Sequence, residues 1–212
     1  DPDGERLTIV DDEGEVLSDT EALLVFIELV REHLLGDRIV LPVNTTSRAV
    51  EIAARSGLTV VHTKISAPVL MTASTDRGVG FAADGRGGFI LPGFLPAFDA
   101  AAALVKLLDL LARTDRSLSE VRRSLPAVSM AQESVSTPWE TKGTVMRTLV
   151  ETADAPLELV DGVKALYPDG RWVLALPDPD APVTQVWAEA ATVTEAKSLA
   201  KEWAKRIRRV VR

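Results

Sequence analysis

The apolar positions of the chain change period several times, and each change marks an element. The run Leu7-Thr8-Ile9-Val10, the turn Asp11-Asp12-Glu13-Gly14 and the run Glu15-Val16-Leu17 predict a β-hairpin. A helical period follows from about Asp19 to Leu35, with Gly36 as its stop. The apolar run Arg38 to Val43, a helical stretch from about Ser47 to Arg55 ended by Gly57, and the run Leu58 to His62 predict strand, helix and strand. That spacing indicates a βαβ unit and a parallel sheet, hence an α/β domain first. The glycine-rich stretch Gly78 to Gly93 holds a predicted strand at Gly88 to Leu91. The helix after it carries Leu104, Leu107, Leu108 and Leu111 on one face, expected to be core.

From Pro126 to Pro138 the helical period lapses while Val128, Met130 and Gln132 alternate, and a domain boundary is predicted there. Thr137-Pro138 reads as an N-cap followed by proline at the first helical position. Beyond it the pattern predicts a helix over 139–152, strands at 157–160, 163–167, 171–176 and 184–190, and a helix over 194–211. A mostly antiparallel sheet with helices on one face, an α+β domain, is the simplest arrangement. Ser/Thr-x-x-Glu stands at Ser18, Ser117, Thr137 and Thr192, and each predicts a capping box that satisfies two orphan N–H groups.

Composition narrows the partners. The 212 residues are 46% hydrophobic and 26% charged, an ordinary globular balance. A net charge of −7 disfavours a nucleic-acid backbone or an anionic lipid surface. The absence of cysteine excludes disulfides, thiolate metal sites and a cysteine nucleophile, and fits a reducing compartment, so the cytoplasm is the expected location. Lys106, Asp109 and Arg113 interrupt even the Ala- and Leu-rich segment, so no bilayer-spanning stretch is predicted. The chain opens on Asp1-Pro2-Asp3 without an initiator methionine, and is expected to be a piece of something longer.

Among candidate chemical groups, Asp1, Asp3 and Glu5 alternate in a tight turn, which suits a hard oxygen-seeking cation such as Mg²⁺. His33 and His62 have no metal-ligand or catalytic context and read as structural. Neither a P-loop nor a Gly-x-Ser-x-Gly elbow is present. The last helix is basic, with Lys197, Lys201, Lys205, Arg206, Arg208, Arg209 and Arg212, read as complementing its dipole while Leu199, Trp203, Ile207 and Val210 pack inward.

In chain order stand Asp-x-Asp-Gly-Glu-Arg (1–6), "EALL" (21–24), Thr63-Lys64, a glycine-rich loop, Ser-Leu-Ser-Glu (117–120), Lys-Gly-x-Val-Met-Arg (142–147), Asp-Gly-Val-Lys (161–164) and Trp-Val-Leu (172–174). This ordered set resembles the C-terminal half of the α-D-phosphohexomutases, the phosphomannomutase and phosphoglucomutase family. The resemblance implies the end of a second domain over 1–18 and a third domain over 19–126 with a mixed, largely parallel sheet and helices. A linker and first strand over 127–133 then lead into a fourth α+β domain over 134–212. It also implies Mg²⁺ at Asp1, Asp3 and Glu5, weakened because Glu5 stands where the family has Asp, with Arg6 and Lys64 near the reacting phosphate. The family's phosphoserine lies upstream of Asp1, so this chain carries no catalytic residue of its own and is not a complete catalyst.

Two loops depart from the family's pattern. The sugar loop Gly-Glu-x-Ser-Gly-His aligns with Ala83 to Gly88, which puts Asp84 for Glu, Arg86 for Ser and Gly88 for His. The phosphate loop Arg-x-Ser-Gly-Thr-x-Pro aligns with Leu176 to Pro182, so Leu176 replaces the arginine while Asp178 and Asp180 replace hydroxyl donors. A phosphate about 4 Å from an aspartate meets repulsion on the order of 4 kcal/mol at a dielectric of about 20. The pattern Thr-x-Val-Gly appears as Thr63-Lys64-Ile65-Ser66, without its glycine.

Three functional readings follow. The first is a catalytically degenerate mutase half acting as a structural or regulatory module, similar to mutase-like segments fused behind a sugar nucleotidyltransferase of the mannose-1-phosphate guanylyltransferase kind. The second is part of an active phosphosugar mutase that uses an upstream phosphoserine. The third is an acidic binding module built on Asp84, Asp178 and Asp180. The expected partners are upstream domains of the same parent and a sugar phosphate, with neither nucleic acid nor membrane, and with homo-oligomerisation left open.

Overall fold

In a computed structural model of residues 1–211, with Arg212 outside the described residues, Ser18 closes its predicted capping box. Its Oγ accepts the Glu21 N–H at 3.3 Å, and Glu21 Oε2 accepts the Ser18 N–H at 2.8 Å. Helix α1 (Asp19–Val30) starts there and buries Leu23, Leu24, Phe26 and Ile27. It ends at Val30, short of the predicted Leu35. Gly36 is not its cap: a Cβ there would lie 2.3 Å from the Gly78 oxygen, which accepts the N–H groups of Asp37 and Arg38 at 3.0 Å each.

The chain divides into two compact units, Asp1–Ala127 and Val128–Arg212. In the first, β1 (Arg38–Pro42), α2 (Ser47–Ala54) and β2 (Thr59–Thr63) form the predicted βαβ unit, with β1 and β2 parallel. Helix α3 (Ala67–Ser74) leads to β3 (Val79–Ala83), which pairs in parallel with β1 on its other side. Strands β4 (Phe89–Leu91) and β5 (Leu95–Phe98) add antiparallel, giving the order β2-β1-β3-β4-β5. Phe26 of α1 stacks on Phe89 with centroids 4.1 Å apart, while Leu70 of α3 packs with Val40, Ala82, Ile90 and Phe98. The sheet therefore lies between helices, as the mixed α/β expectation requires.

Further details of this unit were not expected from the sequence. The 7–17 segment holds one isolated bridge, Val10 to Val16, rather than paired strands. Helix α3 and strands β3 and β5 arise where no element was predicted. In α4 (Ala100–Ala112) the core face is Ala103, Leu107 and Leu110, whereas Leu104 and Leu108 are 46% and 57% exposed. The acidic turn also clasps helix α5 (Leu118–Arg123): the Ser119 N–H donates to Asp12 Oδ1 at 2.8 Å, its hydroxyl donates to Oδ2 at 2.9 Å, and Arg122 pairs with Asp11 at 3.1 Å.

In the second unit, β6 (Met130–Ser136), β7 (Leu157–Glu158), β8 (Val163–Leu166), β9 (Trp172–Pro177) and β10 (Val183–Glu189) form an antiparallel sheet in the order β6-β10-β9-β8-β7. Strand β6 runs on past the predicted boundary at 133. Helices α6 (Lys142–Glu151) and α7 (Val193–Val211) supply Val145, Leu149, Leu199, Trp203 and Ile207 to a core with Val135, Val173, Ala175 and Val186. Thr192 and Glu195 form a reciprocal box before α7. Thr137 does not cap α6. Its hydroxyl donates to the Val135 carbonyl at 3.0 Å, and a short 3-10 turn, Trp139–Thr141, precedes the helix.

Trp203 is fully buried at the centre of this core. Trp203→Ala is expected to destabilise the second unit by about 3–5 kcal/mol, read from denaturant melts. A loss below about 1 kcal/mol would contradict the packing described. The Ser119 backbone N–H foremost, aided by its hydroxyl, holds the Asp12 carboxyl at about 2, below its ordinary 3.8. A carboxylate depressed by folding contributes stability that is present above its unfolded value and lost as pH falls through the folded one. Carbon NMR should therefore find Asp12 titrating at about 2. In Ser119→Ala, which keeps the N–H, the value should rise only part-way, and an unshifted Asp12 in the unmodified chain would remove the clasp.

Candidate functional site

Asp84 organises the site in the first unit. It follows β3, and Gly85 and Gly87, with φ of +70° and +83°, turn the chain back toward β4. Its Oδ1 accepts the N–H groups of Arg86 at 2.7 Å and Gly88 at 2.9 Å, while its Oδ2 accepts Arg6 Nε at 3.1 Å. A Cβ at Gly88 would fall 2.8 Å from Asp84 Oδ2 and 2.9 Å from Phe98, so any side chain there would displace one or both. The loop is tied to the start of the chain by a bridge from Arg6 to Gly88 and by the Leu7 N–H on the Gly87 carbonyl at 2.9 Å.

A cavity of about 150 Å³ opens here, lined by Arg6, Arg86, Ser66, Asp84 and the apolar Ile65 and Leu70. The fold thus brings together Arg6, Asp84 and Arg86, with Gly88 at the loop's base. Lys64 is exposed and does not line the cavity. Ser66 is the residue that sequence reasoning missed. It is the N-cap of α3 and makes no side-chain capping bond, and its signal was the Ser-Ala-Pro sequence that opens a helix. Two guanidinium groups, a hydroxyl and the N-terminus of α3 thus line the cavity beside one carboxylate, with Arg6 already paired to Asp84, Asp1 and Glu5.

The proposed magnesium ligands do not assemble. Asp1 Oδ1 accepts the N–H groups of Glu5 at 2.9 Å and Arg6 at 3.2 Å, and Glu5 lies 3.5 Å from the Arg6 guanidinium. Among the described residues no three His, Cys, Asp or Glu side chains are grouped to hold a metal ion. Asp1, Asp3 and Glu5 therefore do not fit an octahedral oxygen site.

The second unit's loop is closed on itself. Asp178 Oδ1 accepts the N–H groups of Asp180 at 2.9 Å and Ala181 at 3.0 Å, and the first of these bonds leads in holding its carboxyl below the usual range. Lys142 donates to the carbonyls of Asp178 and Ala181 at 2.6 Å each while sitting 3.5 Å from the centre of the Trp139 ring. Leu176, the last residue but one of β9, has no charge to offer, and Asp180 is exposed. Lys142 belongs to a stretch noted in the sequence for its order alone. Its reach across 36 residues to Asp178 has no local signal.

Residues 18–128, more than half of the chain, match the family described as phosphoglucomutase/phosphomannomutase, alpha/beta/alpha domain III. The chain belongs to this family. The probable phosphoglucosamine mutase of Methanopyrus kandleri is 29% identical over 215 residues, which cover 100% of this chain and 47% of that protein. A phosphoglucomutase/phosphomannomutase family protein from Burkholderia thailandensis shares the fold with a TM-score of 0.82 at 20% identity, over 98% of this chain and 45% of that one. The N-acetylphosphoglucosamine mutase of Aspergillus fumigatus, solved with GlcNAc-6P and magnesium, aligns with a TM-score of 0.66 at 16% identity, over 98% of this chain and 51% of that one. The mutase-family chain thus spans about half the length of these relatives. Among its described residues no helix is long and apolar enough to cross a membrane.

Lys142→Met would remove the lysine's bond to the Asp178 carbonyl and leave the Ala181 carbonyl with the Val183 N–H alone. It is expected to cost about 1.5–3 kcal/mol and to speed amide exchange at Asp180 and Ala181. Unchanged exchange at those amides would show that the lysine does not hold the loop.

Proposed function

We propose that this chain is a phosphohexomutase-family C-terminal half whose fourth-domain phosphate grip is lost, serving its parent as a structural or regulatory module in sugar-phosphate metabolism. One observation carries this reading. The Asp178 carboxylate takes the loop N–H groups that an anion would need, and Lys142 is committed to the loop's carbonyls. A phosphate entering there meets two carboxylates and no guanidinium. The sugar-nucleotide setting, behind a guanylyltransferase-type domain, rests on the sequence resemblance alone, since the relatives named above are mutases. The cysteine-free composition supports a reducing, cytoplasmic setting.

The cavity of Arg6, Arg86 and Ser66 favours a second reading, part of an active mutase that uses an upstream phosphoserine. The acidic-module reading is weaker, because Asp84 and Asp178 are both satisfied from within.

The test is the melting temperature with saturating mannose 1-phosphate, glucose 1-phosphate or glucosamine 1-phosphate, with and without Mg²⁺. Ligand at about 100 times its Kd adds about 2.7 kcal/mol, equivalent to a few degrees for a chain of this size. No shift is expected with any of them. A phosphate-dependent shift abolished by Arg86→Ala would support the active-mutase reading and overturn the first.

A further inference from the structure

Helix α7 turns its apolar residues inward: Leu199, Trp203 and Ile207 are buried with Ala196, Ala200 and Ala204. At about 100° per residue, Lys197, Lys201, Lys205, Arg208 and Arg209 fall in one arc of about 120° on the opposite side, along about 18 Å of helix. All five are exposed. Among the described residues none of them is in an ion pair, whereas Arg206, outside the arc, is bound to Asp154 at 3.0 Å and Glu202 at 2.7 Å.

The fold does not account for this stripe. The helix dipole rewards only the last turn, where Arg208 and Arg209 stand, and Lys197, Lys201 and Lys205 lie before it. Lys197 with Lys201, Lys201 with Lys205, and Lys205 with Arg209 are like charges at i,i+4, a spacing that weakens a helix. In a chain of net charge −7 this stripe is a local concentration of cations that, among the described residues, form no ion pair.

We propose that the outer face of α7 docks an acidic polypeptide segment of a partner protein. Carboxylates presented over a comparable length would pair with the stripe and relieve its self-repulsion. A lipid surface fits less well, because interfacial helices insert their apolar face and that of α7 is buried in the core. A nucleic acid fits less well too, because the arc offers no aromatic side chain for stacking and the net charge opposes an extended polyphosphate.

The test is fluorescence anisotropy of the full chain with a labelled glutamate-rich peptide of about 12 residues, long enough to follow the stripe as a helix. Saturable binding is expected, weaker by about tenfold or more between about 0.05 M and about 0.5 M salt. The variant Lys201→Gln, Lys205→Gln, Arg209→Gln should lose about tenfold or more while keeping its melting curve, since glutamine is a good helix former. Arg77→Gln, an exposed arginine in the first unit, should leave binding unchanged. The proposal is overturned by no saturable binding, by an equal loss in Arg77→Gln, or by tighter binding to a single-stranded oligonucleotide or to phosphatidylserine vesicles than to the peptide.

Discussion

An aspartate that accepts the backbone N–H groups of its own loop is the interaction on which both units depend. Asp1 does this for Glu5 and Arg6, Asp11 for Glu13 and Glu15, Asp84 for Arg86 and Gly88, and Asp178 for Asp180 and Ala181. Short polar side chains compete well for nearby backbone donors, and a charged acceptor strengthens the bond. Each loop is thereby rigid before any ligand arrives. The second carboxylate oxygen of Asp84 then reaches Arg6, and Arg122 pairs with the second oxygen of Asp11, so local turns become long-range ties.

The same interaction decides what the loops can bind. Backbone N–H groups converging on one point are an anion site only while that point is empty. At Asp178 a carboxylate of the protein already stands there. At Asp84 the carboxylate likewise takes the N–H groups of Arg86 and Gly88, but it lines a cavity together with Arg6, Arg86 and Ser66. The family's architecture is therefore present in both units, while the two aspartate-bearing loops differ in what surrounds them.

Much of the fold was legible because its boundaries are written locally. Ser18 and Ser117 announced their helices through capping boxes that form as expected, and the apolar runs around β1 and β2 announced the parallel pair. Strand β3 escaped notice because Val-Gly-Phe-Ala-Ala has no alternation, and Gly80 is there to let Leu34 pass within 2.9 Å of a would-be Cβ. In α4 the buried set 103, 107 and 110 was masked by further leucines on the outer side. Of the site, Arg6 and Arg86 were legible through motif order, and Asp84 with them. Ser66 carried only the Ser-Ala-Pro signal of a helix start, which does not mark a site, and Lys142 owes its place to contacts far along the chain that no local pattern records.

The clasp between the 11–13 turn and α5 joins residues 107 positions apart in sequence. Contacts of such separation close last, because the intervening chain must be ordered before they repay its loss of freedom. During synthesis the opening segment of the first unit emerges early and has to wait for Ser119 and Arg122. Until they arrive, Asp11 and Asp12 lack their partners on α5. The first unit is thus closed by ties between its 11–13 turn and α5, and a unit cut short of α5 would lose every one of them.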